Sequence, residues 1–233
     1  MECRSWKNAS TLVRAVAKNN HRRSRHTRNL ARKHGRRPPY DRVLIVCEGE
    51  KTEPLYLEDI RISNRVPSAH VRVLHSEYGT QPRQVVDFAE EIFRETKEYD
   101  WVFAVFDRDD HLTYHDALTR AQALDMTLRN DERKSVHFVA VPSVPCFEFW
   151  LLLHFADIQA FFQRTEIVRR LKNHMPDYEK GATGVYAKTE PRLPEATDRA
   201  MRLRERFNPF SGTDPYTNVD ELVTKLRSIR PVR

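Results

Sequence analysis

The sequence predicts an α/β fold in which a mostly parallel sheet is flanked by helices, followed by a helical C-terminal part and preceded by a disordered basic arm. Short strand-like runs at residues 43–46, 71–75, 101–106 and 136–141 alternate with segments of helical periodicity. The first and third runs, VLIV and WVFAVF, are apolar throughout, as in parallel strands that are covered on both faces. This alternation favours a parallel sheet with right-handed crossovers.

The first 38 residues are the predicted arm, and residues 39–233 are the predicted domain. Residues 1–37 contain twelve Lys or Arg and one acidic residue, so they carry +11, and the whole-chain charge of +7 leaves −4 for the remainder. With so few large apolar residues, the arm cannot bury enough surface to fold alone. Its charge favours a polyanionic partner such as nucleic acid. A solubilising tail, a misassigned start and a mitochondrial transit peptide are the alternatives.

Composition excludes several protein classes. No run of 18 apolar residues occurs, which argues against a membrane-spanning helix. The three cysteines lie far apart and form no Cys-x-x-Cys pair, so neither a zinc module nor a secreted disulfide framework is expected. A reducing cytoplasm fits this cysteine usage.

The helices have start signals in the sequence. Thr52 is the predicted N-cap of the first helix, and residues 79–82 open the second. A third helix is expected over residues 113–129, and a rigid turn at 142–145 precedes a buried helix at 146–155. Further helices are expected after Thr165, over residues 195–207 and after Thr217.

Acidic residues directly follow two of the predicted strands. Glu48 follows the first strand, and Asp107 and Asp109 follow the third. If the chain stays extended there, Asp107 and Asp109 point to the same side, and Glu48 joins them if the two strands are neighbours. Three converging carboxylates repel one another unless a cation binds. The sequence therefore predicts a Mg²⁺ or Mn²⁺ site at this sheet edge, with solvated helix-capping acids as the alternative.

Two further residues are candidates for catalysis. Glu148, at the start of the buried helix, is either a residue that complements the helix dipole or a further metal ligand or general base. Lys188 can stabilise charge on a transferring phosphoryl group, although an exposed loop lysine is the commoner case. His154 is expected to be a core residue.

These motifs resemble known families. Glu-Gly after one strand and Asp-x-Asp after a later one resemble the Toprim domain of topoisomerases, primases and OLD-type nucleases. The blocks CEGEKTEP (47–54), VFDRDDH (105–111), SVPCFEFWLLLHF (143–155) and PYTNVDELV (215–223) together resemble the RloB-like family of bacterial phage-defence proteins. The resemblance implies a Toprim-like fold and a nuclease in abortive infection, with an AAA-type ATPase as a possible partner. It also implies an extra acid after Asp-x-Asp, as in OLD-type nucleases, which fits Glu148.

Two functions from different classes follow. The first is a metal-dependent nuclease that hydrolyses RNA or DNA, and the second is a nucleic-acid- or partner-binding module without chemistry. Topoisomerase and primase activities are disfavoured because neither a domain carrying a nucleophilic Tyr nor a zinc module is evident. A haloacid-dehalogenase-type phosphatase is disfavoured because its Asp-x-Asp normally follows the first strand of the fold.

Overall fold

The computed structural model describes residues 40–109, 111–210 and 215–229, so the predicted arm lies outside the described residues. Five strands form one sheet in the order β2-β1-β3-β4-β5. The four predicted strands are all present and pair in parallel, whereas β5 pairs antiparallel with β4. The strands are β1 Val43–Cys47, β2 Val71–His75, β3 Trp101–Asp107, β4 His137–Val144 and β5 Tyr216–Thr217.

Helices cover both faces of the sheet, as predicted. Helices α2 and α3 share one apolar cluster with Leu44 and Val46 of β1, whereas α1 and the helices after β4 share the other with Val43, Ile45 and Cys47. Because alternate residues of β1 point to opposite faces and both faces are covered, the whole strand is buried. The helices are α1 Thr52–Ser63, α2 Pro82–Thr96, α3 Tyr114–Leu124, α4 Phe147–Leu153, α5 Arg164–His174, α6 Val185–Thr189, α7 Leu193–Arg206 and α8 Val219–Ser228, with a 3-10 turn at Glu190–Arg192 before α7.

The third helix is shorter than the predicted span of 113–129. It ends at Leu124, because the next two residues form hydrogen bonds with β4 and with the residue just before β4 instead of continuing the helix. Asp125 Oδ1 accepts the Phe138 N–H at 3.0 Å, and the Met126 N–H donates to the Val136 carbonyl at 2.9 Å. Met126 has φ +58°, which a helix interior does not allow.

The predicted turn at 142–145 is also wrong in part, since Pro142 and Val144 belong to β4. Strand β5 pairs only with Ser143 and Val144, so no strand residue lies opposite Pro142 on that side. The prediction of a buried helix after this point is confirmed, because every residue of α4 is buried.

The predicted threonine caps are displaced by one or two positions. Thr52 is the first residue of α1 rather than its cap, and its hydroxyl accepts the Gly181 N–H at 3.1 Å. Helix α5 begins at Arg164, so Thr165 lies inside its first turn. Thr217 lies in β5, two residues before α8 begins at Val219, although its hydroxyl does accept the Val219 N–H at 3.3 Å.

A hydrogen bond inside the core joins the first and fourth helices. The Trp150 indole N–H of α4 donates to the Tyr56 hydroxyl of α1 at 3.0 Å, and both side chains are buried. In the part of the chain that the structure describes, no helix has the length and apolar content needed to cross a membrane.

We expect Tyr56→Phe to lower the free energy of unfolding by about 1–3 kcal/mol, because the Trp150 N–H is then left buried and unpaired. Urea denaturation monitored by circular dichroism measures this change. Tyr78→Phe is the matched control: it removes the hydroxyl bonded to the exposed Glu91 carboxylate, and the change should stay within about 0.5 kcal/mol. Equal effects of the two substitutions would contradict the assignment.

Candidate metal centre

The two acid-bearing strands are neighbours at the centre of the sheet. β1 and β3 run parallel, with Cys47 opposite Val105, so the residues after their carboxyl ends meet at one edge. The Glu48 N–H donates to the Val105 carbonyl at 2.8 Å, and Glu48 Oε2 accepts the Asp107 N–H at 2.9 Å. In the sheet, β2 lies on one side of β1 and β3 lies on the other, so the chain changes its direction of progress across the sheet between β1 and β3. Open α/β sheets bind ligands at such a switch point.

Three residues at this edge can hold a metal ion. One ligand atom each of Glu48, Asp109 and His111 lies within 4.8 Å of the other two. The His111 Nε2 to Glu48 Oε1 distance is 3.8 Å. The chain is not extended through Asp109, whose φ of +34° turns the backbone after Asp107. The turn that follows Asp107, and not an extended chain, therefore brings Asp109 and His111 to Glu48.

Arg164, the first residue of α5, binds two of the predicted carboxylates. Its Nη2 lies 2.7 Å from Asp107 Oδ2, and its Nη1 donates to Asp109 Oδ2. Burial lowers the pKa of Arg164, but Asp107 and Asp109 outweigh this, so the pKa is raised and the guanidinium stays charged. Asp107 is 2% exposed, and this ion pair offsets part of the cost of burying its charge. Its predicted role as a metal ligand stays a prediction.

Two more buried carboxylates line the same cavity of about 580 Å³ as Glu48, Asp107 and Asp109. Glu53 and Glu148 lie in the first turns of α1 and α4 and are 6% and 1% exposed. An acid in the first turn of a helix is favoured by the helix dipole. The structure therefore brings Glu148 to the predicted acid cluster and adds Glu53, which the sequence analysis does not select.

Glu148 has partners on one oxygen only. The Tyr178 hydroxyl donates to Glu148 Oε1 at 3.3 Å, and the Lys180 Nζ lies 3.9 Å from the same atom. Glu148 Oε2 is buried and has no hydrogen-bond partner among the described residues. A buried carboxylate oxygen without a partner costs free energy, which a proton, a water or a cation at this position removes.

Gly49 gives Glu53 the space that it occupies. A Cβ atom at position 49 would lie 2.2 Å from Glu53 Oε2, so any larger residue displaces this carboxylate. The Glu-Gly pair therefore supplies both an acid and room for a second acid from the following helix.

The shared burial of these acids raises their pKa values. Burial is the largest cause for Glu48, and Glu53 and Asp109 add to it, so the pKa of Glu48 rises to about 7 even though the Asp107 N–H opposes the shift. The pKa of Asp107 lies well above its usual range because of burial and then because of Glu53 and Glu48. Burial and Glu148 raise the pKa of Glu53. The cluster therefore retains protons near neutral pH unless a cation balances its charge.

The two remaining residues of interest lie elsewhere. Lys188 is exposed on α6 and does not line this cavity, whereas Lys180 does. His154, at the end of α4, lies in the core with Nδ1 at 3.1 Å from the Trp150 carbonyl. Burial lowers the pKa of His154 to about 4, so the imidazole is neutral at physiological pH.

The family model of the RloB-like protein matches residues 43–226, which include every residue of this cluster. The chain belongs to the RloB-like protein family. Comparisons with curated proteins and with solved structures find no match. Family membership and the acid cluster together identify an RloB-like domain with a candidate metal site.

The donor set of this RloB-like domain fits a hard or borderline divalent cation. Two carboxylates and one imidazole suit Mn²⁺, while Mg²⁺ prefers the carboxylates and keeps several waters. Glu53 and Glu148 are near enough to share the cavity, so further oxygen ligands are available.

Sequence reasoning misses four residues of this site. Glu53 and His111 lie inside the motifs CEGEKTEP and VFDRDDH, so a count of every acid and imidazole in these motifs would have found them. Arg164 and Lys180 follow α4 by more than ten residues and carry no motif. Only the tertiary fold reveals that they reach the acids.

We expect the metal-free protein to lose stability as pH rises from 4.5 to about 7. Glu48 binds its proton more tightly in the folded state, where its pKa is about 7, than in the unfolded state, where it is near 4.5. The unfolded state therefore loses the proton first, and the free energy of unfolding falls by roughly 3 kcal/mol across this window. Glu48→Gln should remove this share of the decline, measured by urea denaturation in EDTA at several pH values.

Added Mg²⁺ or Mn²⁺ at pH 8 should restore stability to the wild type and much less to Glu48→Gln, because only the wild type keeps the full donor set. Glu58→Gln, a half-exposed acid of α1 that does not line the cavity, is the control, and its response to pH and metal should follow the wild type. An identical pH profile for Glu48→Gln and the wild type would disprove the coupling.

Proposed function

We propose that this RloB-like chain is a metal-dependent nuclease that hydrolyses phosphodiester bonds of RNA or DNA. The observation that carries the proposal is the convergence of Glu48, Asp109 and His111 in a cavity that four further acids also line, at the carboxyl edge of a parallel sheet. Buried like charges are costly and persist where a function needs them. The basic arm adds a charge suited to nucleic acid.

Mg²⁺ or Mn²⁺ would be held by Glu48 and Asp109, with His111 and Asp107 as further candidate ligands, and would supply Lewis-acid polarisation of the scissile phosphodiester. Arg164 fixes the positions of Asp107 and Asp109 through its two terminal nitrogens. It also keeps positive charge at the site where the phosphate binds. Arg164 thus orients these candidate metal ligands before any substrate binds.

We assign the general base to Glu148. Its Oε2 is free of protein partners among the described residues, so it can accept a proton from an attacking water, while Tyr178 and Lys180 hold the other oxygen. The charge-stabilising role considered for Lys188 is proposed here for Lys180, which lines the cavity. Lys188 stays a weaker candidate because it is exposed on α6.

One observation favours the competing function, a nucleic-acid- or partner-binding module without chemistry. Arg164 already forms ion pairs with Asp107 and Asp109 without a metal ion, so these acids have a structural partner. Under this alternative the ion pairs of the cluster only stabilise the fold. Divalent cations then change neither the stability of the protein nor its reactivity.

The biological setting that we propose is bacterial phage defence by abortive infection in the cytoplasm, with an AAA-type ATPase as the partner that controls the nuclease. Support comes from the resemblance of the four sequence blocks to the RloB-like family. A nuclease that is toxic to its host requires such control, and the sequence contains no P-loop of its own.

We expect the purified protein to cleave at least one of plasmid DNA, single-stranded DNA, total RNA and tRNA with Mg²⁺ or Mn²⁺, and none with EDTA. Glu48→Gln and Asp109→Asn should each lower the rate at least about 100-fold, because the loss of a metal ligand exceeds the 10- to 100-fold effect typical of its supporting residues. Gel assays under single-turnover conditions measure these rates. Glu58→Gln is the matched acid-to-amide control and should cleave like the wild type.

Asp107→Asn separates two roles. If Asp107 is a ligand, metal affinity measured by calorimetry falls together with the rate. If it only positions Arg164, metal affinity is retained. Near-wild-type cleavage by Glu48→Gln or Asp109→Asn would refute the proposed centre.

Glu148→Gln should lower the cleavage rate by roughly 100-fold or more, the usual size of a general-base contribution, while the melting temperature is unchanged or higher. Stability should hold because the substitution removes a buried charge that repels Glu53. A rate within about threefold of the wild type would leave Glu148 with the structural role at the start of α4.

A further inference from the structure

A second cleft of about 720 Å³ adjoins the metal centre and shares Asp109, His111 and Arg164 with it. Its other lining residues include Arg108 and Phe161, and we call it the arginine cleft. Its volume falls in the range of roughly 300–1,000 Å³ that is usual for small-molecule sites. A substrate with its reacting group at the acids therefore has room to place a neighbouring group here.

Two guanidinium groups in the arginine cleft have unsatisfied donors. Arg108 Nη1 and Arg164 Nε are both buried and have no hydrogen-bond partner among the described residues. Arg108 forms no ion pair with another described residue, and its guanidinium carbon lies 5.4 Å from the centroid of the Tyr114 ring. Buried charged donors without an acceptor are costly, so their presence at one cleft points to an anionic ligand.

Phe161 adds an exposed aromatic ring to this cleft. It is 39% exposed and does not belong to either apolar cluster, whereas the next residue, Phe162, packs against the core and lies 3.9 Å from the Arg170 guanidinium carbon. Phe162 therefore has a structural role, and Phe161 has none among the described contacts. An exposed ring beside the Arg108 guanidinium, which forms no ion pair with another described residue, suits a nucleobase with its phosphate.

We propose that the arginine cleft binds one unpaired nucleotide next to the scissile phosphate, with Phe161 stacked on its base and Arg108 on its phosphate. This inference rests on the proposed nuclease function and specifies its substrate as single-stranded nucleic acid. A base inside a duplex has both faces covered by its neighbours and cannot stack on a side chain. Stacking and phosphate contact are shared by DNA and RNA, so both are included in the test.

The test measures binding of the full chain to fluorescein-labelled ten-nucleotide single strands of DNA and of RNA, and to the matching duplexes, by anisotropy in EDTA at about 0.3 M salt. EDTA prevents cleavage, and the salt weakens the contribution of the basic arm. Phe161→Ala should weaken single-strand binding roughly 5- to 100-fold, the usual effect of removing one stacking ring, and leave duplex binding unchanged. Phe161→Trp should restore binding, and the oligonucleotide should quench its added fluorescence.

Arg108→Gln gives an independent readout. It should make the negative slope of log affinity against log salt shallower by about 0.7, as expected for one lost phosphate contact on a single strand. Phe161→Ala should leave this slope unchanged. Phe210→Ala is the matched control, since Phe210 is 38% exposed and lines a different cavity. Circular dichroism confirms that each variant is folded.

Wild-type affinity of Phe161→Ala for single strands, or an equal loss of single-strand and duplex binding, would overturn the proposal. The nuclease proposal can fail separately. If no cleavage occurs under any metal condition but the Phe161 and Arg108 effects are present, the chemistry is refuted and the cleft is retained. If the acid variants abolish cleavage but neither cleft variant changes binding, only the cleft assignment is refuted.

Discussion

The burial of several carboxylates at one edge of the sheet is the constraint on which the rest of this structure depends. Glu48 and Asp107 are placed there by neighbouring strands, and Glu53 and Glu148 by the first turns of two helices. Like charges in a poorly solvated cavity raise one another's pKa values, so each must be offset by a donor, a cation or a proton. Arg164, Lys180 and the two helix dipoles are compensation that the fold itself provides.

The chain after β4 packs in the same apolar cluster as α1, and hydrogen bonds join the two. Helix α4 is joined to α1 through Trp150 and Tyr56, and the loop before α6 returns to α1, where the Gly184 N–H donates to Asp59 at 3.0 Å and the Gly181 N–H donates to Thr52. These bonds hold the segment that carries Lys180 against the first turn of α1. The C-terminal part therefore supplies positive charge to acids that the first half of the sheet introduces.

The sequence predicts the parts of this fold that depend on local patterns, such as β1, β3 and the buried α4, because burial on all sides leaves a continuous apolar run. It fails where long-range contacts decide. Helix α3 ends at Leu124 because Asp125 binds β4, and β5 has only two residues, too few for a pattern. Glu48, Asp107 and Asp109 are recognisable as strand-end acids, but the turn at Asp109 that brings His111 to them, and the return of Arg164 from α5, depend on tertiary structure.

A charge count links metal binding to proton release. The cavity is lined by six acids, namely Glu48, Glu50, Glu53, Asp107, Asp109 and Glu148. It is also lined by three fixed cations, namely Lys51, Arg164 and Lys180. With every acid ionised, the described lining therefore lacks three positive charges. Burial and mutual repulsion raise the pKa values of Glu48, Glu53 and Asp107, so these acids hold their protons more tightly when no metal is present. One divalent cation supplies two of the three charges, so it displaces protons as it binds, and its affinity must rise with pH.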